Sequence, residues 1–285
     1  MKITPICDLK AALGEGPVWD HQAHALYWVD SLGPTLFRWD YATKQPEIWH
    51  LQGAEIGSLA VRQNGGLILA KDHGFYVFDV KTEALSMIAE PLAGMNGVRF
   101  NDGKVTPDGA FISGGMNIER GGRTKCPAFR LNADLSVDHI LDGFYVFNGP
   151  CFNGAGDRLY FTGRTGPIEL GTYVSGGSPC EIQVFYADGI HDGATIDAED
   201  HIWSAQWSDG CVLRIAPDGV LERRIEIPDQ VVTSVMFGGP ELDIMFITTL
   251  GMDFRGVKVK SVDAGKTFMI EGLGIKGRPE PYFKG

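Results

Sequence analysis

No run of about 18 apolar residues occurs anywhere in the 285-residue chain, so the signal for a membrane-spanning helix is missing. The opening MKITPICDLK has no apolar stretch behind its lysine, which removes the pattern of a secretory leader. Basic residues are few and scattered. Twenty-five Lys and Arg stand against 36 Asp and Glu, for a formal charge of −11, with no cluster that could track phosphates or an anionic bilayer. Small molecules and cations are the partners this balance favours, and neither nucleic acid nor membrane is expected. The five cysteines, Cys7, Cys126, Cys151, Cys180 and Cys211, are odd in number and widely spaced, and they form no CxxC pair of the kind used for zinc or thiol redox chemistry. A reducing compartment fits, so the chain reads as a cytoplasmic protein, a monomer or weak homo-oligomer. Helix-period stripes are scarce, and no GxSxG accompanies the serines, which disfavours a serine nucleophile.

What the chain does contain is apolar side chain in quantity, 44% against 21% charged, enough for one core over residues 1–285. Short β-branched and aromatic runs alternate with Gly, Asp, Asn and Pro throughout. Aligning the turns exposes six copies of one pattern, an apolar strand, a tight turn such as PDG or NGG, and a second strand. They begin at Val18, Val61, Val105, Cys151, Ile196 and Met236, spaced 43, 44, 46, 45 and 40 residues apart. A further strand pair follows each copy, starting near LFRWD, FYVFDV, AFRLN, IQVFYADG, VLRIAPDG and VKVKSVD. Four strands in a period of 40 to 50 residues predict an all-β fold, a six-bladed β-propeller of four-stranded antiparallel blades around a central channel. The stretch ITPICDLK, ahead of the first copy, is expected to complete the last blade and close the ring.

In a propeller the first strand of each blade lines the channel, so residues just ahead of the six copies meet at one mouth. Those positions hold Glu15, Ser58, Asn101, Asn148, Asp192 and Thr233. Singly, Asn148-Gly149 and Asp192-Gly193 are ordinary turn signals. Their common place in the repeat makes Glu15, Asn101, Asn148 and Asp192 a ring of two carboxylates and two amides, hard oxygen donors suited to Ca²⁺, Mg²⁺ or Mn²⁺. A cation would also relieve the repulsion between crowded carboxylates.

Several segments carry a resemblance that runs nearly end to end: LGEGPVWD, LYWVD, RFNDGKVTPDG, FNGP, HDGATIDAEDHIW, VTSVMFGGPELD and GLGIKGRPEP. Together they resemble the gluconolactonase and regucalcin (senescence marker protein) family of sugar lactonases, in look nearest its bacterial aldonolactonases. The resemblance implies one divalent metal held by Glu15, Asn148 and Asp192, with Ca²⁺ the foremost choice and Zn²⁺, Mn²⁺, Mg²⁺ and Fe²⁺ as alternatives. It also implies that Arg99, Asn101 and Glu119 face a small-molecule sugar lactone, which metal-activated water would hydrolyse to the aldonic acid. Asp192 is the candidate general base, because a carboxylate beside the activated water can take its proton. Arg99 would hold a sugar hydroxyl or steady the oxyanion. The plainer alternatives are an Arg99–Asp102 surface pair and a solvated Glu119.

The match departs from the family after FNGP, where FTGRTGPIELGTYVSGGSPC replaces an acidic residue followed by Ser or Thr. Gly163 and Arg164 then predict an extra positive charge near the mouth and a preference for an anionic lactone. Gly115, where Thr is common, suggests added room. GLGIKG satisfies G-x-G-x-x-G but has no βαβ unit behind it and reads as a turn. AGKT lacks the spacing of a phosphate loop. His21 and His24 read as hairpin residues, His191 as a packed channel histidine, and the tryptophans mostly as core. Two other functions share the pattern: a metal-dependent phosphotriesterase or aryl esterase on the same site, and a non-catalytic calcium-binding propeller.

Overall fold

The computed structural model describes residues 1–119, 124–163, 166–207, 209–227 and 230–285. Twenty-four strands fall into six four-stranded antiparallel sheets, as the repeat predicted, and no helix occurs among the described residues. None is therefore long and apolar enough to cross a membrane. The inner strands of blades I to VI are Gly14–Asp20, Ile56–Val61, Val98–Val105, Asn148–Phe152, His191–Ile196 and Val232–Gly238. Each hairpins into its second strand through the turn that marks the repeat.

The blades hold together face to face. Strand side chains alternate between faces with a period of two, and both faces of a blade are covered by its neighbours. Leu67 and Leu69 of blade II therefore pack towards blade I, with Tyr27, Val29 and Leu36, while Ile68 and Ala70 pack towards blade III, with Val98, Phe100 and Phe111. Runs such as LILA and IMFI are apolar without interruption for this reason. The widest side chains fill the seam between blades VI and I, where Trp19, Trp28, Trp39 and Phe246 meet. The cysteines are all free.

Blade VI closes the ring. Its strands run Val232–Gly238, Ile244–Thr249 and Phe268–Glu271, and the N-terminal Lys2–Pro5 pairs with the last of these from Lys2↔Glu271 to Pro5↔Phe268. This is the closure expected of ITPICDLK. Two outer-strand expectations fail. The third strand of blade IV is Ile168–Thr172, so IQVFY belongs to the fourth, Cys180–Tyr186, and opens no pair. VKVKSVD lies in no strand despite its alternation, because the N-terminal strand already holds the outer place in blade VI. Residues 250–267 instead form a long connection with one Phe254–Val257 bridge.

The turn between the first and second strand of every blade lies at the end opposite the ring positions. The last residues cross that far mouth. Gly277 donates to the Leu242 carbonyl at 2.7 Å, Ala198 to the Lys276 carbonyl at 2.8 Å, Phe283 to Val61 at 2.9 Å and Lys284 to Gly109 at 2.9 Å. Glu280 pairs with Lys104 at 2.9 Å, Tyr282 donates to Asp20 at 2.6 Å, and Phe283 is fully buried. One tail thus bonds blades VI, V, III, II and I, and GLGIKG is the turn that launches it, with Gly272 at φ 76° and Gly274 at φ 74°.

Candidate active site

Each inner strand breaks register where its ring residue sits: between Glu15 and Val18, Ile56 and Ser58, Phe100 and Gly103, Asn148 and Cys151, His191 and Ala194, and Val232 and Ser234. A bulge adds a residue to one strand and re-aims its side chains. At blade III the bulge parts Asn101, which lines the cavity, from Asp102, which accepts the Gly149 N–H of the next blade. The glycines beside the bulges have a second task. A Cβ on Gly193 would fall 1.9 Å from Ser234 Oγ, and one on Gly149, at φ 55°, would fall 2.6 Å from the Asp192 carbonyl. Without side chains at these points the inner strands close to a narrow waist.

Above the waist lies a cavity of about 220 Å³. Glu15, Arg99, Asn101, Asn148, His191, Asp192 and Arg255 supply its polar lining, so four blades bring their ring residues together as the repeat predicted. The ring residues of blades II and VI do not reach it. Ser58 faces Ser113 Oγ at 3.4 Å, and Thr233 donates to the Gly14 carbonyl at 2.5 Å, both within the buried waist. Glu119 is exposed, lies outside the cavity lining and stands over Gly97. Arg164 lies outside the described residues. Gly163 and Gly115 open no space at the mouth, since a Cβ on Gly163 would meet Phe144 at 2.2 Å and one on Gly115 would meet Cys126 at 2.6 Å.

The polar groups are wired to one another. Asn101 Nδ2 donates to Asn148 Oδ1 at 2.5 Å and to the Phe147 carbonyl at 3.0 Å, while its Oδ1 accepts from Arg99 at 3.2 Å. Arg99 is buried rather than paired on the surface, and it donates to the Phe100 carbonyl at 2.7 Å and to Ser31 Oγ at 3.0 Å, with Glu55 at 3.6 Å. His191 is the packed neutral histidine expected. Burial holds its pKa down to about 4. Its Nε2 lies 2.9 Å from the Asp188 carbonyl, and its Nδ1 lies 2.7 Å from Gln206 Nε2 and 2.9 Å from Ser204 Oγ. These partners assign the proton to Nε2.

The carboxylates are less well served. Burial, with Asp192 and Asp102 nearby, pushes the Glu15 carboxyl well above its usual range. Burial and Asp102 do the same to Asp192. Asp102 is pushed up to about 6 by burial, although it accepts the Gly149 N–H at 2.8 Å. Among the described residues, no basic side chain forms an ion pair with any of the three. Buried charge without a partner is costly, so a cation suits this place.

Sequence reasoning missed Asp102 as a buried group, because it stands one place beyond the ring position that the repeat picks out. It also missed the roof. The connection after Thr249, read as strand, carries Phe254 and Arg255 into the cavity lining. Arg255 donates to the Asn117 carbonyl of blade III at 3.1 Å, and Phe254 meets Trp207 of blade V edge-on at 6.2 Å. A loop of blade VI thus reaches the diametrically opposite blade. Leu13, Met116, Val146 and Ile190 complete the walls.

A second acidic group, Asp197, Glu199 and His201, has donor atoms close enough together for a metal. Its place is taken by Arg214, which lies 2.8 Å from Asp197 and 2.5 Å from Glu199 and also pairs with Glu222. Trp203 Nε1 donates to the same Asp197 at 2.8 Å. Removing one partner of a buried pair costs about 3–5 kcal/mol. Asp197→Asn is therefore expected to lower the thermal midpoint by roughly 6–10 °C while leaving divalent-metal affinity unchanged in calorimetric titration. A lost metal site with unchanged stability would overturn this assignment.

A propeller with buried acids and amides gathered on its axis defines a class, and comparison with known proteins names it. Residues 13–251 match the family described as SMP-30/Gluconolactonase/LRE-like region, and the chain belongs to that family. It is 32% identical to a pentonolactonase of Haloferax volcanii, over 98% of this chain and 97% of the relative. It is 31% identical to regucalcin of Xenopus laevis, over 100% of this chain and 99% of the relative. Among solved structures it is similar to a calcium-binding protein, regucalcin, from Agrobacterium tumefaciens, with a TM-score of 0.87 and 27% identity over 98% of this chain and 96% of that one.

Proposed function

We propose that the protein is a metal-dependent sugar lactonase, hydrolysing an aldonolactone to the aldonic acid in the cavity above the waist. One observation carries this: Glu15 and Asp192 are buried carboxylates that form no ion pair among the described residues, sharing a small cavity with Asn148. The donor set of two carboxylates and an amide oxygen fits one divalent cation, in keeping with the calcium-binding name of the Agrobacterium relative. The pentonolactonase name of the Haloferax relative supports the reaction. A volume of about 220 Å³ is below that of pockets for drug-sized ligands and suits a single small ring.

Glu15, Asn148 and Asp192 would hold the ion, which when bound supplies Lewis acidity to the lactone carbonyl and acidifies a nearby water. Asp192 would receive the proton of the attacking water. Arg99, fixed by Ser31 and the Phe100 carbonyl, presents its guanidinium to a ring hydroxyl or the growing oxyanion. Asn101, bonded on both sides, orients Arg99 against Asn148. The apolar walls limit competing water. Glu119 takes no part in this arrangement.

The test is a panel of aldonolactones, aryl esters and phosphotriesters, assayed after chelation and again with Ca²⁺, Mn²⁺, Zn²⁺ or Fe²⁺ restored singly. Lactone hydrolysis that disappears with the metal and returns with one ion is expected. Faster turnover of the aryl esters or phosphotriesters would reassign the substrate, and no turnover with any ion would reject catalysis.

A further inference from the structure

Of the two arginines on the cavity, only one has an acid beside it. Arg99 lies 3.6 Å from Glu55, whereas Arg255 forms no ion pair among the described residues. Its guanidinium carries five N–H donors, and its hydrogen bond to the Asn117 carbonyl uses one. It is nevertheless held in place. The Phe254 ring lies 5.4 Å from its central carbon, and the Asn117 bond ties it to the far blade, so the side chain, though exposed, is tethered across the mouth. Burial lowers its pKa, and no acid among the described residues offsets this. The rest of the cavity lining is largely apolar, with Leu13, Met116, Val146, Ile190, Trp207 and Phe254.

We propose that Arg255 is a specificity-determining residue that receives an anionic substituent of the substrate, so that the preferred lactone carries a carboxylate or a similar oxyanion away from its ring carbonyl. This rests on the lactonase function proposed above. A guanidinium with free, parallel N–H groups matches a carboxylate two bonds at a time, and charge-assisted bonds of this kind are about twice as strong as neutral ones. A neutral polyol chain would offer the cation only neutral hydrogen bonds. Half-exposure at the rim tempers the gain, to about tenfold in selectivity.

The experiment compares an aldarolactone, which keeps a free carboxylate, with the matching neutral aldonolactone in the metal-loaded full-length protein. Dissociation constants for the corresponding aldarate and aldonate are measured alongside, because binding needs no turnover. Only the anionic-to-neutral ratio is read, so any general effect of a substitution cancels. Wild type should favour the anionic member in both kcat/KM and affinity. Arg255→Gln should lower both ratios by about tenfold, chiefly through KM, and Arg255→Lys should restore at least part of each. High salt should shrink the wild-type preference. Ratios unmoved by Arg255→Gln, with lactone hydrolysis intact, would overturn the role of Arg255 and leave the proposed activity standing. An Arg255-dependent preference for aldarate in a protein that opens no lactone would do the reverse.

Discussion

Asp192→Asn is expected to lower lactone turnover at least about a thousandfold and to weaken metal binding, while raising the thermal midpoint of the metal-free protein. The three effects share a cause. Asp192 is buried, and its charge is opposed by burial and by Asp102, with the Gly193 N–H as the named relief. An amide of the same shape removes the repulsion with Asp102 and Glu15 and so stabilises the empty fold. It also removes the proton acceptor and an anionic ligand, and loss of a general base alone costs about 10²–10⁴ in rate. Steady-state kinetics, metal titration and thermal melts after chelation separate these consequences. A merely structural Asp192 would melt earlier as Asn and keep its rate, and that pair of results would refute the assignment.

Chelation should produce the second large effect, and pH should tune it. Glu15, Asp102 and Asp192 all have folded-state pKa values raised above their ordinary carboxylate values, with Asp102 at about 6. The folded protein therefore holds these protons more tightly than the unfolded chain. The stability these three groups contribute without metal is fully present below the unfolded value of about 4 and is lost as pH rises through the raised folded values. A divalent ion acts in the opposite sense, because it binds the ionised forms. At pH 7, an ion present at one hundred times its dissociation constant adds about 2.7 kcal/mol, or roughly 5 °C in thermal midpoint. Near pH 4, where protons compete for the same oxygens, the shift should nearly vanish. Equal shifts at both pH values, or none at pH 7, would sink the metal centre.

Much of the fold was legible because the repeat is redundant. Six hairpins with Asp-Gly, Asn-Gly and Gly-Gly turns say the same thing six times, and one obscure copy cannot hide the period. The same redundancy located Glu15, Asn101, Asn148 and Asp192, since each stands at one place in the pattern. Legibility failed where the pattern has a single instance. Residues 250–267 alternate like a strand, yet the outer place in blade VI was filled by residues almost the whole chain away. Arg255 and Phe254, which reach the cavity on that connection, had no counterpart in other blades to reveal them. Asp102 was hidden for a subtler reason. It stands one place past the ring position, where the repeat gives no signal, and its bond to the Gly149 N–H of the next blade appears only once the blades are packed.

The C-terminal tail across the far mouth has a consequence for traffic. With Phe283 buried and Glu280 tied to Lys104, the channel is a cul-de-sac rather than a passage. Whatever enters beneath the loop that bears Arg255 must leave by the same doorway. For a lactone hydrolase the departing molecule is an acid, carrying one more negative charge than the arrival and passing the same two arginines on its way out. Selectivity at the entrance and the pace of release are then two readings of one set of side chains, and neither can be altered without the other.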